Sequence, residues 1–236
     1  MNSVTINGYN LQSEYGLVLP SYDIPAPEPF LYMVAVDGRD GLVDLSNAFG
    51  RTFFKNREWN LNFKLPNPST NWHITFSSVL SRFHGKRVPF IFDDDSTHTW
   101  IGRITVDRFN SNQGEGNLAL NISSEPYKYN QTATEKTETV SGTKTITLSN
   151  ADMPVCPVIT VSSEMQITFT GVTDPAASGL VGYGIVGQMT VGANSTITAT
   201  ITGTAQIPQF VIPQGGTTVS VTGNGTIKFT YTEGLL

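Results

Sequence analysis

Residues 58–65, Glu-Trp-Asn-Leu-Asn-Phe-Lys-Leu, carry an apolar side chain at every second position. Trp59, Leu61, Phe63 and Leu65 alternate with Glu58, Asn60, Asn62 and Lys64. A period of two sends alternate side chains to opposite faces of a pleated strand, whereas a helix would mix them on every face. The segment therefore predicts a strand with one dry and one wet face. The stretches TWIGRITVDRF (99–109) and NLALNIS (117–123) continue the theme, so the first half of the chain reads as a sheet.

One segment breaks the pattern. Between Asn67 and Lys86, the residues Trp72, Phe76, Val79, Leu80 and Phe83 recur at i, i+4, i+7, i+8 and i+11, which makes one apolar stripe on a helix. Ser69 or Thr70 suits its N-cap, and Gly85 suits the left-handed residue that ends it. Burying each large side chain of the stripe contributes roughly 1.5–3 kcal/mol, far more than the helix propensity of these residues. The expectation is one helix packed on the sheet.

The second half has other habits. Residues 131–236 hold 23 Thr and no Trp, against 7 Thr and all three Trp in residues 1–130, and Lys plus Arg divide 11 to 3 in favour of the first half. MQITFT, STITATITG, TTVSVTG and GTIKFTYT are short runs of β-branched and aromatic residues separated by Gly, Asn and Pro, as in a sandwich of antiparallel strands. Between the halves, NQTATEKTETVSGTK (130–144) is polar, suiting a linker or a domain-entry strand. Two domains are expected, 1–130 and 131–236, in a mainly β chain.

Charge and cysteine usage narrow the function classes. The net charge of −5 and the lack of any Lys/Arg run argue against binding nucleic acid through its phosphates, which requires a basic face. The lone Cys156, flanked by prolines in MPVCPVITV, has no partner for a disulfide and no basic neighbour to activate it, so it reads as a structural thiol. MNSVTINGYNLQSEYG at the start resembles no export signal, and no stretch is long and apolar enough to insert in a membrane. The chain is expected to be made in a cytoplasm, and its Asn-X-Ser/Thr matches to be ordinary turn residues.

The densest cluster of chemistry-bearing residues is FIFDDDSTHTWIGRITV (90–106), where Asp93, Asp94, Asp95 and His98 lie between two apolar runs. Calcium loops space their oxygens at alternate positions, and zinc sites pair His or Cys at short spacing; this segment does neither. Without a second carboxylate cluster to oppose it, an acid/base pair is disfavoured, and a hairpin tip between two strands is the simpler reading. GLVGYG (179–184) lacks the Lys-Ser/Thr of a phosphate loop, and no Ser sits in a nucleophile context. No catalytic, cofactor or metal site follows from the residues.

Several stretches in combination resemble the distal tail protein family of long-tailed, siphophage-type bacteriophages. They are VAVDGRDGLVDLSNAFG (34–50), FFKNREWNLNFKL (53–65), the helix ending in RFHGK, the aspartate hairpin with its aromatic and Gly-Arg, and SEPYKYN (124–130). CPVITV and FVIPQGGTTVSVTGNGTIKFTYTEGLL resemble the closing strands of the family's second domain.

The resemblance implies a tail-tube-like N-terminal β-sandwich with one flanking helix, six copies of which close a ring. It also implies a C-terminal galectin-like β-sandwich that serves as a docking platform. The implied protein is structural and needs no cofactor. It joins the tail tube protein to the tail-tip hub, lets DNA pass without binding it in a sequence-specific way, and offers its second domain to receptor-binding proteins. Its place is the virion tail tip, after assembly in the host cytoplasm. Ring contacts are expected at Arg39, Asp40 and Arg51, within glycine-containing segments such as 36–57 that can reach a neighbour. Asp93, Asp94 and Asp95 are expected at the hairpin tip or along the lumen. A carbohydrate-binding adhesin is the competing reading, and a carboxylate-pair enzyme a distant third.

Overall fold

The computed structural model describes residues 2–46, 52–66, 71–112, 115–170, 190–191, 196–207 and 210–236. The chain is mainly β and separates into two compact units, Met1–Lys128 and Tyr129–Leu236. In the first, the strands are β1 (Val4–Ile6), β2 (Tyr9–Asn10), β3 (Met33–Ala35), β4 (Leu42–Asp44), β5 (Arg57–Leu65), β6 (Arg87–Phe92), β7 (His98–Asn112) and β8 (Glu115–Ser124). A short helix α1 (Leu11–Tyr15) and the longer α2 (Trp72–Phe83) complete it.

The main sheet is antiparallel in the order β5-β8-β7-β6-β1-β2. Along β5 buried and exposed residues alternate without exception, as the period-two pattern requires. The sheet curls on itself, because Trp59 of β5 packs against Phe90 and Phe92 of β6, three strands away in sheet order, at ring-centre distances of 5.9 and 5.6 Å. Trp100 of β7 closes the cluster 5.0 Å from Trp59, whose indole N–H donates to Ser124 Oγ at 2.7 Å. Burying that polar atom without a partner would cost about 1–3 kcal/mol.

Helix α2 spans the expected turns and is followed by Gly85 at φ +74°. Its first helical residue follows Asn71, whose side chain makes no capping bond; Ser69 and Thr70 lie outside the described residues. Val79 and Phe83 are fully buried, and Thr75 joins them, while Trp72, Phe76 and Leu80 pack from the flank. The buried seam is thus rotated by about one residue from the stripe that hydrophobicity alone marks. The small α1 is an addition to the one expected helix. Asn10 Oδ1 accepts from the Gln12 and Ser13 amides at its start, and Gly16 at φ +67° closes it.

The second unit begins with the last residues of β9 (Lys128–Asn130) and contains β10 (Thr134–Leu148), β11 (Val158–Val161), β12 (Met165–Thr170), β13 (Thr190–Val191), β14 (Thr196–Ile201), β15 (Thr204–Gln206), β16 (Thr217–Tyr231) and β17 (Gly234–Leu235). The polar stretch after residue 130 is mostly strand: β10 pairs with β16 over fifteen consecutive residues. TTVSVTG and GTIKFTYT, which read as two runs, belong to the one strand β16. On its other edge β16 pairs first with β12 and then with β11, and the switch falls at Gly223–Gly225. A Cβ on Gly225 would stand 2.5 Å from Ser162 Oγ, so a side chain there would block the crossing. The core is aliphatic around Phe210, whose ring lies 4.6 Å from Phe169 and 6.2 Å from Phe229. Outward threonines pair across strands, as in Thr143–Thr222, Thr160–Thr204 and Thr168–Thr198 at 3.0–3.2 Å.

Candidate interaction surface

Between Leu19 and Arg57 the chain leaves the core. No side chain from Pro20 to Asn56 belongs to the fully buried apolar cluster among the described residues. The chain instead runs out and back as a ribbon. Lys55 N donates to Glu28 O, Phe30 N to Phe53 O, and Leu45 N to Tyr32 O, at 2.7–2.8 Å. Lys55 and Glu28 also form an exposed ion pair at 2.9 Å. Farther out, β3 and β4 pair with Met33 opposite Asp44 and Ala35 opposite Leu42. The tip is a turn with Gly38 at φ +79° and Gly41 at φ +80°, which explains the glycines of GRDG, since other side chains resist that conformation.

This arm exposes what the rest of the molecule hides. Nine of the thirteen exposed large apolar side chains among the described residues lie in Ile24–Phe53, among them Phe30, Leu31, Tyr32, Met33 and Leu42 at 43–60% exposure. Apolar surface gathered this densely makes the arm the candidate interaction surface rather than ordinary scatter. A two-stranded ribbon without a core of its own is also marginal by itself. Arg39 and Asp40 sit at its tip, both exposed, with no ion pair on either among the described residues. Arg51 lies outside the described residues.

The three aspartates form a single 3-10 turn, Asp93–Asp95, joining β6 to β7. They do not extend to opposite faces, as contiguous residues of a strand would: the turn leaves the Asp93 side chain exposed and carries the other two carboxylates to different partners. Asp94 accepts from the Tyr22 hydroxyl at 2.7–2.8 Å, and Tyr22 stacks on Phe92 with ring centres 4.2 Å apart. Burial, with the hydrogen bond to Asp94, pushes the Tyr22 phenol well above its ordinary value. Asp95 meets Lys128 Nζ at 2.7 Å and His98 Nδ1 at 2.5 Å. Burial works to raise the Asp95 carboxyl, but the hydrogen bonds and charges of Lys128 and His98 hold it below the usual carboxylate value. The carboxylates of Asp94 and Asp95 are thus engaged in fastening the turn.

Sequence reasoning missed Arg57. It is 4% exposed, donates from Nε to Pro126 O and from Nη1 to Pro25 O at 2.8 Å each, and lies over the Trp100 ring at 4.9 Å. The signal was present: extending the alternation of β5 one step back from Trp59 places Arg57 on the dry face.

Two other chemistry-bearing groups have structural partners. His84 Nδ1 accepts the Val106 amide at 3.1 Å, and the Cys156 thiol, which burial pushes up, donates to Ile207 O. Among the described residues no three His, Cys, Asp or Glu side chains converge as metal ligands, and no helix is long and apolar enough to cross a membrane. An open groove of about 460 Å³ is lined by His73, Ile74, Ser77, Ser78, Ser81 and Arg82. All six come from α2 or its exposed flank, so no second wall converges on a substrate.

No protein-family model matches the sequence, and no curated protein does. Among solved structures the fold is similar to that of the SPP1 Dit (gp 19.1) protein, which is described as a paradigm of the hub adsorption apparatus in phages that infect Gram-positive bacteria. The similarity has a TM-score of 0.62 at 19% identity and covers 98% of this chain and 99% of that one. The likeness therefore extends over both units.

Proposed function

We propose that this chain is a structural hub protein of a phage tail, six copies of which close a ring that joins the tail tube to the tail tip and lets DNA through. The observation that carries the reading is the end-to-end fold similarity to a phage hub protein, over both units and with almost nothing left over on either chain. The first unit, Met1–Lys128, corresponds to the ring-forming, tail-tube-like domain expected over residues 1–130. The second, Tyr129–Leu236, corresponds to the galectin-like platform for receptor-binding components expected over residues 131–236. The name describes a fold and implies no sugar site. The protein works in the virion tail, after assembly in the host cytoplasm, and catalyses no reaction.

The exposed arm supports this reading physically. A closed ring uses a heterologous contact, in which each copy offers two different patches. An apolar ribbon projecting from one copy is a suitable first patch, and Arg39 and Asp40 at its tip are placed to set the register against a neighbour. The net charge of −5 suits a channel that DNA must traverse without sticking. In this reading Asp94 and Asp95 fasten the hairpin tip, and the exposed Asp93 carboxylate is available to line the lumen.

Light scattering after size exclusion, with negative-stain images, tests the ring. Six chains of 25.6 kDa make 6 × 25.6 = 153.6 kDa, and the expected particle has that mass and a central hole. A strict monomer up to the highest soluble concentration would overturn the self-closing ring.

A further inference from the structure

Three features of the first unit each touch the same two segments. The turn Asp94-Asp95 holds Tyr22 on one side and Lys128 on the other. Arg57 holds the carbonyls of Pro25 and Pro126 with two arms of one guanidinium. Phe54 bridges to Pro29 and sets its ring edge-on to Tyr127, with centres 6.4 Å apart. One member of every pair belongs to the strap that leads into the arm, residues 22–29. The other belongs to the last residues of the unit, 126–128.

We infer that these bridges make a clasp, which fastens the root of the arm and the closing segment of the first unit into one conformational device. The strap has no fully buried apolar side chain of its own, so its placement depends on these polar and aromatic bonds. The closing segment bends at Pro126–Tyr127 and has the one buried side chain of Tyr127, which meets the Phe54 edge of the clasp. Arg57 is suited to the task because its rigid fork serves two carbonyls at once from a buried position, where releasing either leaves a desolvated charge less satisfied. Its third nitrogen, Nη2, is buried with no partner among the described residues, so the clasp has little slack with which to replace a lost bond. Energetic coupling between two segments is reciprocal: the factor by which the strap stabilises the closing segment equals the factor by which the closing segment stabilises the strap. The clasp is a property of the free chain. Its use, carrying the seating of the arm on a neighbour to the segment that leads into the second unit, rests on the proposed ring.

The test perturbs one segment and reads the other by native-state hydrogen exchange of the full chain. Lys128→Met removes a bond of the closing segment only; the readout is the Phe30 and Lys55 amides, which are bonded within the arm. Tyr22→Phe removes a bond of the strap only, and the readout is the Glu125 amide, which donates to Ile101 O. In each case exchange at the distant amides is expected to rise about fivefold or more, the lower end of ordinary coupling, while the β5 and β8 amides of Leu61 and Ile122 stay unchanged. Loosening confined to the segment that was touched, or no change in either, would overturn the clasp. If Lys128→Met speeds exchange everywhere, the milder Tyr22→Phe, which keeps the ring stacked on Phe92, decides. Its result is independent of whether any ring forms, so failure of the clasp and failure of the hub reading are separate outcomes.

Discussion

The two units build sheets by the same alternation and finish their surfaces in opposite ways. The second turns threonines outward, pairs them across strands and buries an aliphatic core around Phe210. The first packs an aromatic core around Trp59 but extends an arm that, among the described residues, leaves nine large apolar side chains exposed. Threonine satisfies its hydroxyl with water or with the next strand, so such a face is complete as it stands. An exposed Phe, Leu or Met gains free energy only when something covers it. On the hub reading, the second unit needs no further cover and the first offers its arm to a partner.

The sharpest test of this contrast removes one core ring from each unit. Trp59→Ala and Phe210→Ala should each cost about 3–5 kcal/mol, because each leaves a cavity that the surrounding sheet cannot fill. All three Trp lie in the first half, so tryptophan fluorescence reports on that unit alone. Trp59→Ala is expected to shift the fluorescence-detected urea transition, while Phe210→Ala leaves it in place and shifts only a far-UV circular dichroism transition. Equal movement of the fluorescence signal in both variants would mean that the units do not unfold independently.

A smaller effect, of about 1–3 kcal/mol, is expected from Gly216→Ala in the second unit. Gly216 has φ +106°, and a Cβ there would stand 2.2 Å from Leu148 O. Gly142→Ala, at φ +84° with open space around it, should cost less, about 1 kcal/mol. Denaturant midpoints of the two variants measure the difference between backbone collision and conformation alone.

Acid should loosen both units, for different reasons. In the second, hydrogen bonds from Lys136 and Lys144 to Glu138 lower its pKa from 4.5 to about 2. A carboxyl depressed by folding contributes stability that is present above its unfolded value and lost as pH falls through its folded one. Glu138 therefore adds to stability above about pH 4.5, and that contribution disappears toward pH 2; Glu138→Gln should flatten the stability profile in that window. In the first unit Asp95, also held below its ordinary value, behaves with the same sign, and its loss releases Lys128 from the clasp. A pH series of chemical denaturation, read by fluorescence for one unit and by circular dichroism for the other, separates the two.

The smallest effect on stability belongs to the arm. Leu31→Asp with Leu42→Asp replaces two side chains that are 57% and 60% exposed, and should change the unfolding free energy by no more than about 0.5 kcal/mol. On the hub reading the same pair abolishes assembly, as seen by light scattering. Assembly that survived the charges would move the ring contact away from the arm.

Much of this molecule was legible before folding. The alternation of residues 58–65 foretold β5 face by face, the stripe from Trp72 to Phe83 foretold α2, and Gly85 foretold where that helix stops. Such features are local: a period of two or of 3.6 residues and a positive φ are decided by neighbouring residues. Where local cues misled, a distant partner was responsible. GNG in β16 carries the signature of a turn, yet fifteen residues of β10 hold it extended. Thr75 is polar, yet the rotation of α2 on the sheet buries it.

The candidate surface divides along the same line. The sequence by itself determined that the GRDG stretch turns tightly, that three aspartates mark the end of a strand, and that Arg57 falls on an inward register position. Only the tertiary structure decided which carbonyls Arg57 would hold, that Asp94 and Asp95 would reach residues 72 and 33 positions away, and that the apolar residues of the arm would find no core. The physical reason is range. Backbone periodicity is settled over a few residues, whereas burial and polar pairing depend on which distant segments the closing sheet brings together.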